Sequence, residues 1–321
     1  MGDSQESLVS LAIGPVQDFI AAALRTRDLW FGSNMLSEVS KAAARGMRNK
    51  NAELIFPFVT KDKDNDLNDG FDINVANRIV AVVKGDVQSV IEVGKQAAKD
   101  RLEEYINQAW LYARNIKLHE DVWNRQADTS DLLELYATSV PIKNNNYHEA
   151  RKRLDRLTAA RKNTREFCQP TINPKEPGFT LPKSSLDGRR ETVLTDEITD
   201  KQRRILRMGK NEQLDLMGLV KRLAGEKVEQ FTPTTRIAID PWIRTISESE
   251  NGEDVLTNIG KELKKLLSSG FVTSVKGNDD IYLKFPFDAG LLYRDRLEVA
   301  IKKGDVNEAK ILRSLRDILK P

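Results

Sequence analysis

The sequence predicts an α+β fold: a ferredoxin-like domain, then a largely helical region, then a small α/β part at the end. Three observations lead there. Leu8, Val9, Leu11, Ala12 and Ile13 form a nearly continuous apolar run, as in a strand buried on both faces. Short runs of β-type composition recur at residues 54–58 and 77–83. Segments with apolar residues at helical spacing lie between and after them. Strand, helix, strand, strand, helix suggests a ferredoxin-like domain, whose sheet order the sequence does not show and whose final strand could come from much later in the chain.

Gly14 permits a sharp turn after the first strand, and Pro15 suits the first position of a helix, where its missing N–H is no loss. Val16, Phe19, Ile20, Ala23 and Leu24 would pack that helix back onto the strand. Gly32-Ser33 reads as a break, with Ser33 or Asn34 capping a second helix that buries Leu36, Val39, Ala43 and Met47. The acidic loop at residues 62–70 resembles a calcium loop only superficially. Leu67 stands where such a loop needs glycine, and Ile73 where it needs a bidentate glutamate. Residues 88–110 form a long amphipathic helix, with Val90, Ile91, Val93, Ala97, Leu102, Tyr105 and Ile106 on its apolar positions. These readings divide the chain into a first domain at 1–115, a helical and loop region at 116–230, and a small α/β region at 231–321.

Within 116–230 the densest basic segment holds Arg151, Lys152, Arg153, Arg156, Arg161, Lys162 and Arg165, offset by Asp155 and Glu166. On a helix it leaves Leu154, Leu157 and Ala160 to pack. Such a run is either a solvated face or a surface for phosphate groups. Four prolines between 170 and 182 make that stretch extended or looped, and Asp187-Gly188 makes a turn. Lys201, Arg203, Arg204, Arg207 and Lys210 form a second basic cluster. Residues 216–223 form a short helix. Residues 237–243 are apolar and interrupted by Pro241, suited to docking onto the main body. Residues 255–267 and 305–319 are further helices.

The chain has 321 residues, 40% of them hydrophobic and 31% charged, which describes a globular protein. Lys and Arg number 51 against 48 Asp and Glu, a net charge of only +3, so any nucleic-acid contact must come from local clusters. Cys168 is the only cysteine. That excludes an internal disulfide and a multi-cysteine zinc site, and the residue reads as a small buried hydrophobe. No apolar run reaches membrane-spanning length and the first residues are polar, so a cytoplasmic location is expected.

Catalytic patterns are scarce. His119 and His148 are the only histidines, and neither is followed by Asp; they read as surface or packing residues. No phosphate-loop or nucleophile-elbow pattern occurs. Gly277-Asn278-Asp279-Asp280 lies between two β-type runs and reads as a hairpin tip. Paired aspartates on such a tip can bind metal ions for nucleotidyl transfer, but Asn and Asp also suit the turn itself, which is the preferred reading. A self-contained metal-dependent nucleotidyltransferase using Asp279 and Asp280 is the alternative, as is a non-catalytic RNA-binding scaffold. Gly32, Ser33 and Asn34, with Arg27 upstream, are the best candidates for nucleotide contact, because free N–H groups at a helix start bind phosphate. A capped helix after a bend explains the same residues.

The opening motifs carry a resemblance. Gly14-Pro15-Val16-Gln17, Phe19-Ile20, Arg27-Asp28-Leu29-Trp30 and Gly32-Ser33 resemble the start of the first palm domain in the large subunit of type III-B CRISPR effector complexes. Further matches lie at Asn77-Arg78-Ile79-Val80-Ala81-Val82-Val83, along residues 182–191, and at Gly218-Leu219-Val220-Lys221-Arg222. Phe231, Pro233-Thr234-Thr235-Arg236 and Phe287-Asp288 with Gly290-Leu291-Leu292 fit too. The resemblance implies a palm-domain cyclic oligoadenylate synthase family, using ATP with Mg²⁺ or Mn²⁺, and partners that include the 5′ region of a guide RNA, target RNA and other effector subunits. Arg151, Arg153, Arg156, Arg161, Arg203 and Arg204 are the expected RNA or subunit contacts. The family's His-Asp nuclease domain is not expected here, because seven residues precede the first strand. Its catalytic Gly-Gly-Asp-Asp palm would begin after the last residues. Its four zinc-binding cysteines have no counterpart, so no zinc is expected.

Overall fold

A computed structural model describes residues 6–59, 67–68, 73–164, 181–224 and 231–320. The chain divides into two compact units: one holds residues 1–195 and 213–225, the other residues 196–212 and 226–321.

The first unit is built on a sheet in the order β2-β3-β1-β4, antiparallel throughout. The strands are β1 (Glu6–Gly14), β2 (Glu53–Phe56), β3 (Arg78–Lys84) and β4 (Glu134–Pro141). Two helices, α1 (Gln17–Ala21) and α2 (Thr26–Asn49), follow β1, and α3 (Val87–Ala113) follows β3. This is the βαββαβ pattern of ferredoxin-like domains. The closing strand comes from residues 134–141, inside the stretch read as helical, so the first unit extends well past residue 115. β1 is central, and everything from Leu8 to Gly14 is buried. Helices α2 and α3 pack on one face of the sheet; α6 (Tyr147–Asn163) covers the other, where Leu8, Val80 and Val140 meet Ala150 and Leu154. Two short helices, α4 (Glu120–Gln126) and α5 (Thr129–Leu132), lead into β4.

The residues at the start of β3 tie these layers together. Asn77 extends the pairing with β1: Ile13 N–H donates to Asn77 O at 2.8 Å, and the Asn77 side-chain Nδ2 donates back to Ile13 O at 3.1 Å. Arg78 donates to Ser10 Oγ at 3.1 Å and reaches Asp155 on α6. Glycine sets the approach of α2 and α3: a Cβ on Gly94 would lie 2.7 Å from Met47 and 3.2 Å from Leu11.

The opening helices differ from the sequence reading. Pro15 follows a cis peptide bond and stands outside α1, which is five residues long and buries none of them. Leu24 is exposed. The break falls at residues 22–25, and α2 then runs unbroken through Gly32, Ser33 and Asn34. Gly14 is the last residue of β1 and has no positive φ; what its missing side chain spares is Glu134, whose Oε2 would lie 3.3 Å from a Cβ.

Residues 181–195 fold back on themselves, with Thr192 N bonded to Pro182 O and Ser184 N to Arg190 O, both at 2.8 Å. The expected turn is present, with Gly188 at φ +68°. Val193 N then binds Leu214 O at 2.9 Å, just before α8 (Leu216–Leu223). Cys168, Arg165, most of the acidic loop at 62–70 and most of the proline-rich stretch lie outside the described residues.

The second unit is helical among its described residues, which corrects the expectation of an α/β part. It contains α7 (Asp200–Ile205), α9 (Thr234–Glu248), α10 (Gly252–Lys265), α11 (Asp280–Lys284), α12 (Arg294–Lys303) and α13 (Val306–Ile318). Residues 237–243 are part of α9, with Pro241 inside it. The expected hairpin at 272–285 is instead a single bridge, Ser274 to Phe287, with α11 between the two residues. Arg236 of α9 ties the residues that follow α11 to its own helix. Its side chain is fully buried, donates to Phe285 O at 2.5 Å and Phe287 O at 2.9 Å, and pairs with Asp240 at 3.1 Å. Asp288, another position in the matched motifs, accepts from Thr273 N, Thr273 Oγ1 and Gly290 N at 2.7 to 2.9 Å.

Replacing Gly94 by Val should destabilise the first unit by about 2 kcal/mol through overpacking against Met47. A lowered urea midpoint would show it; an unchanged midpoint would mean that α3 shifts freely.

Candidate functional site

Three motifs that are far apart in sequence converge in the first unit on a cleft of about 230 Å³. Pro15, Asp18, Phe19 and Ala22 come from the α1 segment, and Asp131, Leu132 and Glu134 from the approach to β4. Asp187, Arg189 and Arg190 belong to the folded-back loop, and Asp215, Gly218 and Lys221 to α8 and its cap.

The floor of the cleft is made by two buried ionisable groups. Asp215 caps α8, accepting from Gly218 N at 2.9 Å and from Ser184 Oγ at 3.3 Å. Burial pushes its carboxyl above the usual range, against the Gly218 N–H that pulls it down. Lys221 reaches across to α1. Its Nζ donates to Phe19 O and, at 2.8 Å, to Ala22 O, and it lies 4.5 Å from the centre of the Phe19 ring. It therefore supplies donors to carbonyls at the end of α1, which a short helix leaves unsatisfied. Burial lowers Lys221 to about 8, although Asp215, Asp28 and Asp187 pull it upward.

Next to it, Arg222 forms an ion pair with Asp28 at 2.6 Å, both side chains almost wholly buried. Asp28 lies in the first turn of α2, so adjacent residues of α8 hold the end of α1 and the start of α2. The rim carries two pairs nearer solvent: Asp18 with Arg189 at 2.7 Å, and Asp131 with Arg190 at 3.0 Å. On α2 and α3, Glu38 binds Lys41 at 2.5 Å and faces Arg101 at 3.6 Å. Asp18, Asp28 and Glu38 are thus each held by a different cation and do not converge on one point.

Gly32 is buried in the interior of α2, not at a helix start; a Cβ there would meet Lys221 Cε at 3.3 Å and Ile20 Cα at 3.6 Å. Its N–H is part of the continuous helix, so the free-donor argument moves to the first turn, where Arg27 is half-buried. Ser33 is exposed and Asn34 half-buried. On α6, Arg153 and Arg156 are exposed; Arg151 pairs with Asp155 at 3.3 Å, and Arg161 donates to Thr164 O at 2.9 Å. Leu157 and Ala160 are exposed instead of packed.

Arg203 and Arg204 are engaged inside the second unit. Arg203 donates to Glu212 O at 3.0 Å; Arg204 donates to Ser269 O at 3.1 Å, pairs with Glu308 at 3.2 Å and stacks 3.9 Å over Phe271. Asp279 is not paired with its neighbour for metal binding: Arg244 holds its carboxylate at 2.7 Å and, through that hydrogen bond, below the usual carboxylate range. Sequence reasoning missed the Asp28–Arg222 pair and the Lys221 cap. The available signal was two adjacent cations inside an otherwise apolar eight-residue helix.

Residues 8–113 match the family described as CRISPR-associated protein Cmr2, N-terminal. The match covers about a third of the chain. The resemblance read from the opening motifs is borne out there, and Gly14-Pro15, Asp28 and Gly32 of the Cmr2-type region all lie at or next to the cleft. Among solved structures, the chain is similar to a type III-B Cmr-beta complex in the apo state, with 16% identity, a TM-score of 0.48, and coverage of 98% of this chain and 38% of the other. It is also similar to the type III-B Cmr-beta complex bound to cognate target RNA, with 15% identity, a TM-score of 0.45, and coverage of 81% and 38%. The chain therefore spans well under half the length of either. No curated protein matches it.

Two outcomes test this electrostatic arrangement. Arg222→Met should cost about 3–5 kcal/mol by leaving Asp28 buried without its cation, and adding Asp28→Leu should restore most of the loss; additive losses would show that the pair is not coupled. For Lys221, the folded value of about 8 lies below the ordinary 10.5. Between those values the unfolded chain holds the extra proton, so stability should rise with pH by roughly 1 kcal/mol per unit. Urea midpoints compared at successive pH values should show this rise in wild type and not in Lys221→Met; parallel curves would contradict it.

Proposed function

We propose that this chain is the N-terminal portion of the large subunit of a type III-B CRISPR RNA-guided antiviral effector complex. It would provide assembly surface and one wall of the ATP site for cyclic oligoadenylate synthesis. The match of residues 8–113 to the Cmr2 N-terminal family carries this reading. The βαββαβ sheet supports the palm interpretation of that region. The other effector subunits, guide RNA and target RNA are its partners on this reading, with ATP and Mg²⁺ or Mn²⁺ as ligands of the complete protein.

Chemical reasoning divides the labour. Joining ATP molecules requires metal ions to activate a hydroxyl and neutralise the leaving pyrophosphate, and so requires convergent carboxylates. Asp18, Asp28 and Glu38 are separately engaged, and Asp279 is bonded to Arg244. The metal-binding carboxylates are therefore assigned to a second palm. The nucleotide-facing groups of this chain are Arg27, Ser33 and Asn34 on the first half of α2. Gly32 serves the close approach of Lys221 that fixes this half of the helix.

The purified chain incubated with ATP and Mg²⁺ or Mn²⁺ should leave the ATP intact. Combined with the remaining large-subunit segment, the other subunits, guide RNA and target RNA, it should yield cyclic oligoadenylates. In that assembly Ser33→Tyr should lower the yield at least ~10-fold (~1.4 kcal/mol) without changing the melting temperature, and Asp279→Ala/Asp280→Ala should leave the yield unchanged. Product from the isolated chain that vanishes with the aspartate double substitution would instead establish the self-contained transferase.

A further inference from the structure

The two edges of the sheet are built differently. At one, β2 is four residues long, shifts register between Leu54 and Phe56 and runs into Pro57. Short length, a bulge and a proline all keep an edge from pairing further. At the other, β4 runs eight residues in unbroken register with β1 and carries no charge from Leu135 to Ile142. Ile142 N donates to Glu6 O at 2.9 Å, which sets the parity of the ladder. The main-chain groups of Tyr136, Thr138 and Val140 face β1, and those of Leu135, Ala137 and Ser139 point away from it. Among the described residues, none bonds to the main chain of these three.

Helix α6 leaves a matching flank beside this edge. Thr158 bonds to Thr138 at 2.8 Å and Arg161 lies 6.0 Å from the Tyr136 ring, so helix and strand run antiparallel and Ala160 stands about level with Ala137. Asp155 turns toward β3, where Arg78 holds it. The helical period puts Leu157 and Ala160 on the opposite flank, past the β4 edge. Both are exposed, Leu157 by 45%. The nearest cation on that flank, Arg153, is two turns from Ala160, about 10 Å along the helix.

A second copy of the chain fits this edge. An antiparallel pairing centred on Ala137 uses every outward group, setting Leu135 against Ser139 of the second copy and Ala137 against its own equivalent, with about six hydrogen bonds. No like charges face each other within it, and it brings the Asp131 and Glu134 end of one β4 toward Lys143 of the other. The two α6 helices then lie side by side with Ala160, a small residue, nearest the axis, and Leu157 is covered. We infer that β4 pairs with β4 of a second copy across a two-fold axis, joining two sheets into one. This rests on the β4 edge and α6 and is independent of the nucleotide site.

Sedimentation velocity of the full chain from about 1 to 100 µM should show monomer giving way to dimer. Ser139→Pro removes one outward N–H without touching the ladder to β1, and Leu157→Lys adds like charges close to the axis; each should weaken dimerisation at least ~10-fold. Phe58→Lys, an exposed position just past the β2 edge, should leave it within about twofold. Cys168→Ser removes the chain's only thiol. In that background Ala137→Cys should cross-link two copies on mild oxidation, because opposed Cα atoms about 5.5 Å apart suit a disulfide. Ser139→Cys, whose equivalents would stand about 14 Å apart, should not. Should Ser139→Pro fold poorly, Leu157→Lys and the cross-link decide the matter. A monomer at every concentration, with no cross-link in Ala137→Cys, would overturn the inference and leave the edge to a strand of a different protein. A dimer that survives Ser139→Pro and Leu157→Lys unchanged, or that Phe58→Lys weakens equally, would place the contact elsewhere and overturn it too.

Discussion

Two adjacent cations buried in α8 hold the start of the chain in place. Lys221 supplies donors to carbonyls at the end of α1, and Arg222 neutralises Asp28 in the first turn of α2. A five-residue helix with no buried side chain has little stability of its own. Its position is imposed by what binds its free carbonyls. The break between α1 and α2, the burial of Gly32 and the shape of the cleft floor all follow from those contacts. Removing either cation would leave polar groups or a carboxylate unpaired away from water, which costs more than the contact itself contributes.

The same device organises the second unit. Arg236 is fully buried and bonds to the carbonyls of Phe285 and Phe287, while Asp240 and the Tyr282 ring flank its guanidinium. In the first unit two adjacent cations divide the work, Lys221 on main-chain carbonyls and Arg222 on a carboxylate, whereas in the second Arg236 does both. Such an arrangement specifies geometry, because a buried charge loses its partners if the backbone around it shifts. This gives the motif residues Asp28, Lys221, Arg222, Arg236 and Asp288 a physical role in positioning backbone, independent of any ligand.

The cleft and the outer face of α6 use charge differently. In the cleft nearly every charge has a partner, and the desolvated floor shifts Asp215 up and Lys221 down. On α6, Arg153 and Arg156 are solvated, while Asp155 of the same helix is engaged by Arg78 of β3 and by Arg151. The first environment suits fixed geometry.

Much of the first unit was legible in the sequence. The apolar run in β1, the β-type composition of β2 and β3 and the long period of α3 are local signals, and each produced its element. The Asp187-Gly188 turn was equally local. What was illegible depended on partners distant in sequence. Gly32 looked like a helix break because glycine is a poor helix former, yet it lies mid-helix since Lys221, nearly two hundred residues later, needs the space. The run at 281–285 looked like a strand by composition, but residues 280–284 form α11, and the carbonyl of Phe285 after it is held by Arg236, some fifty residues earlier. The sequence by itself determined which segments alternate between strand and helix and which carry charge, because period and composition are properties of neighbouring residues. Only the tertiary structure decided which charges are buried in pairs, which helix ends are capped and which basic face stays open, because those depend on what desolvates each group.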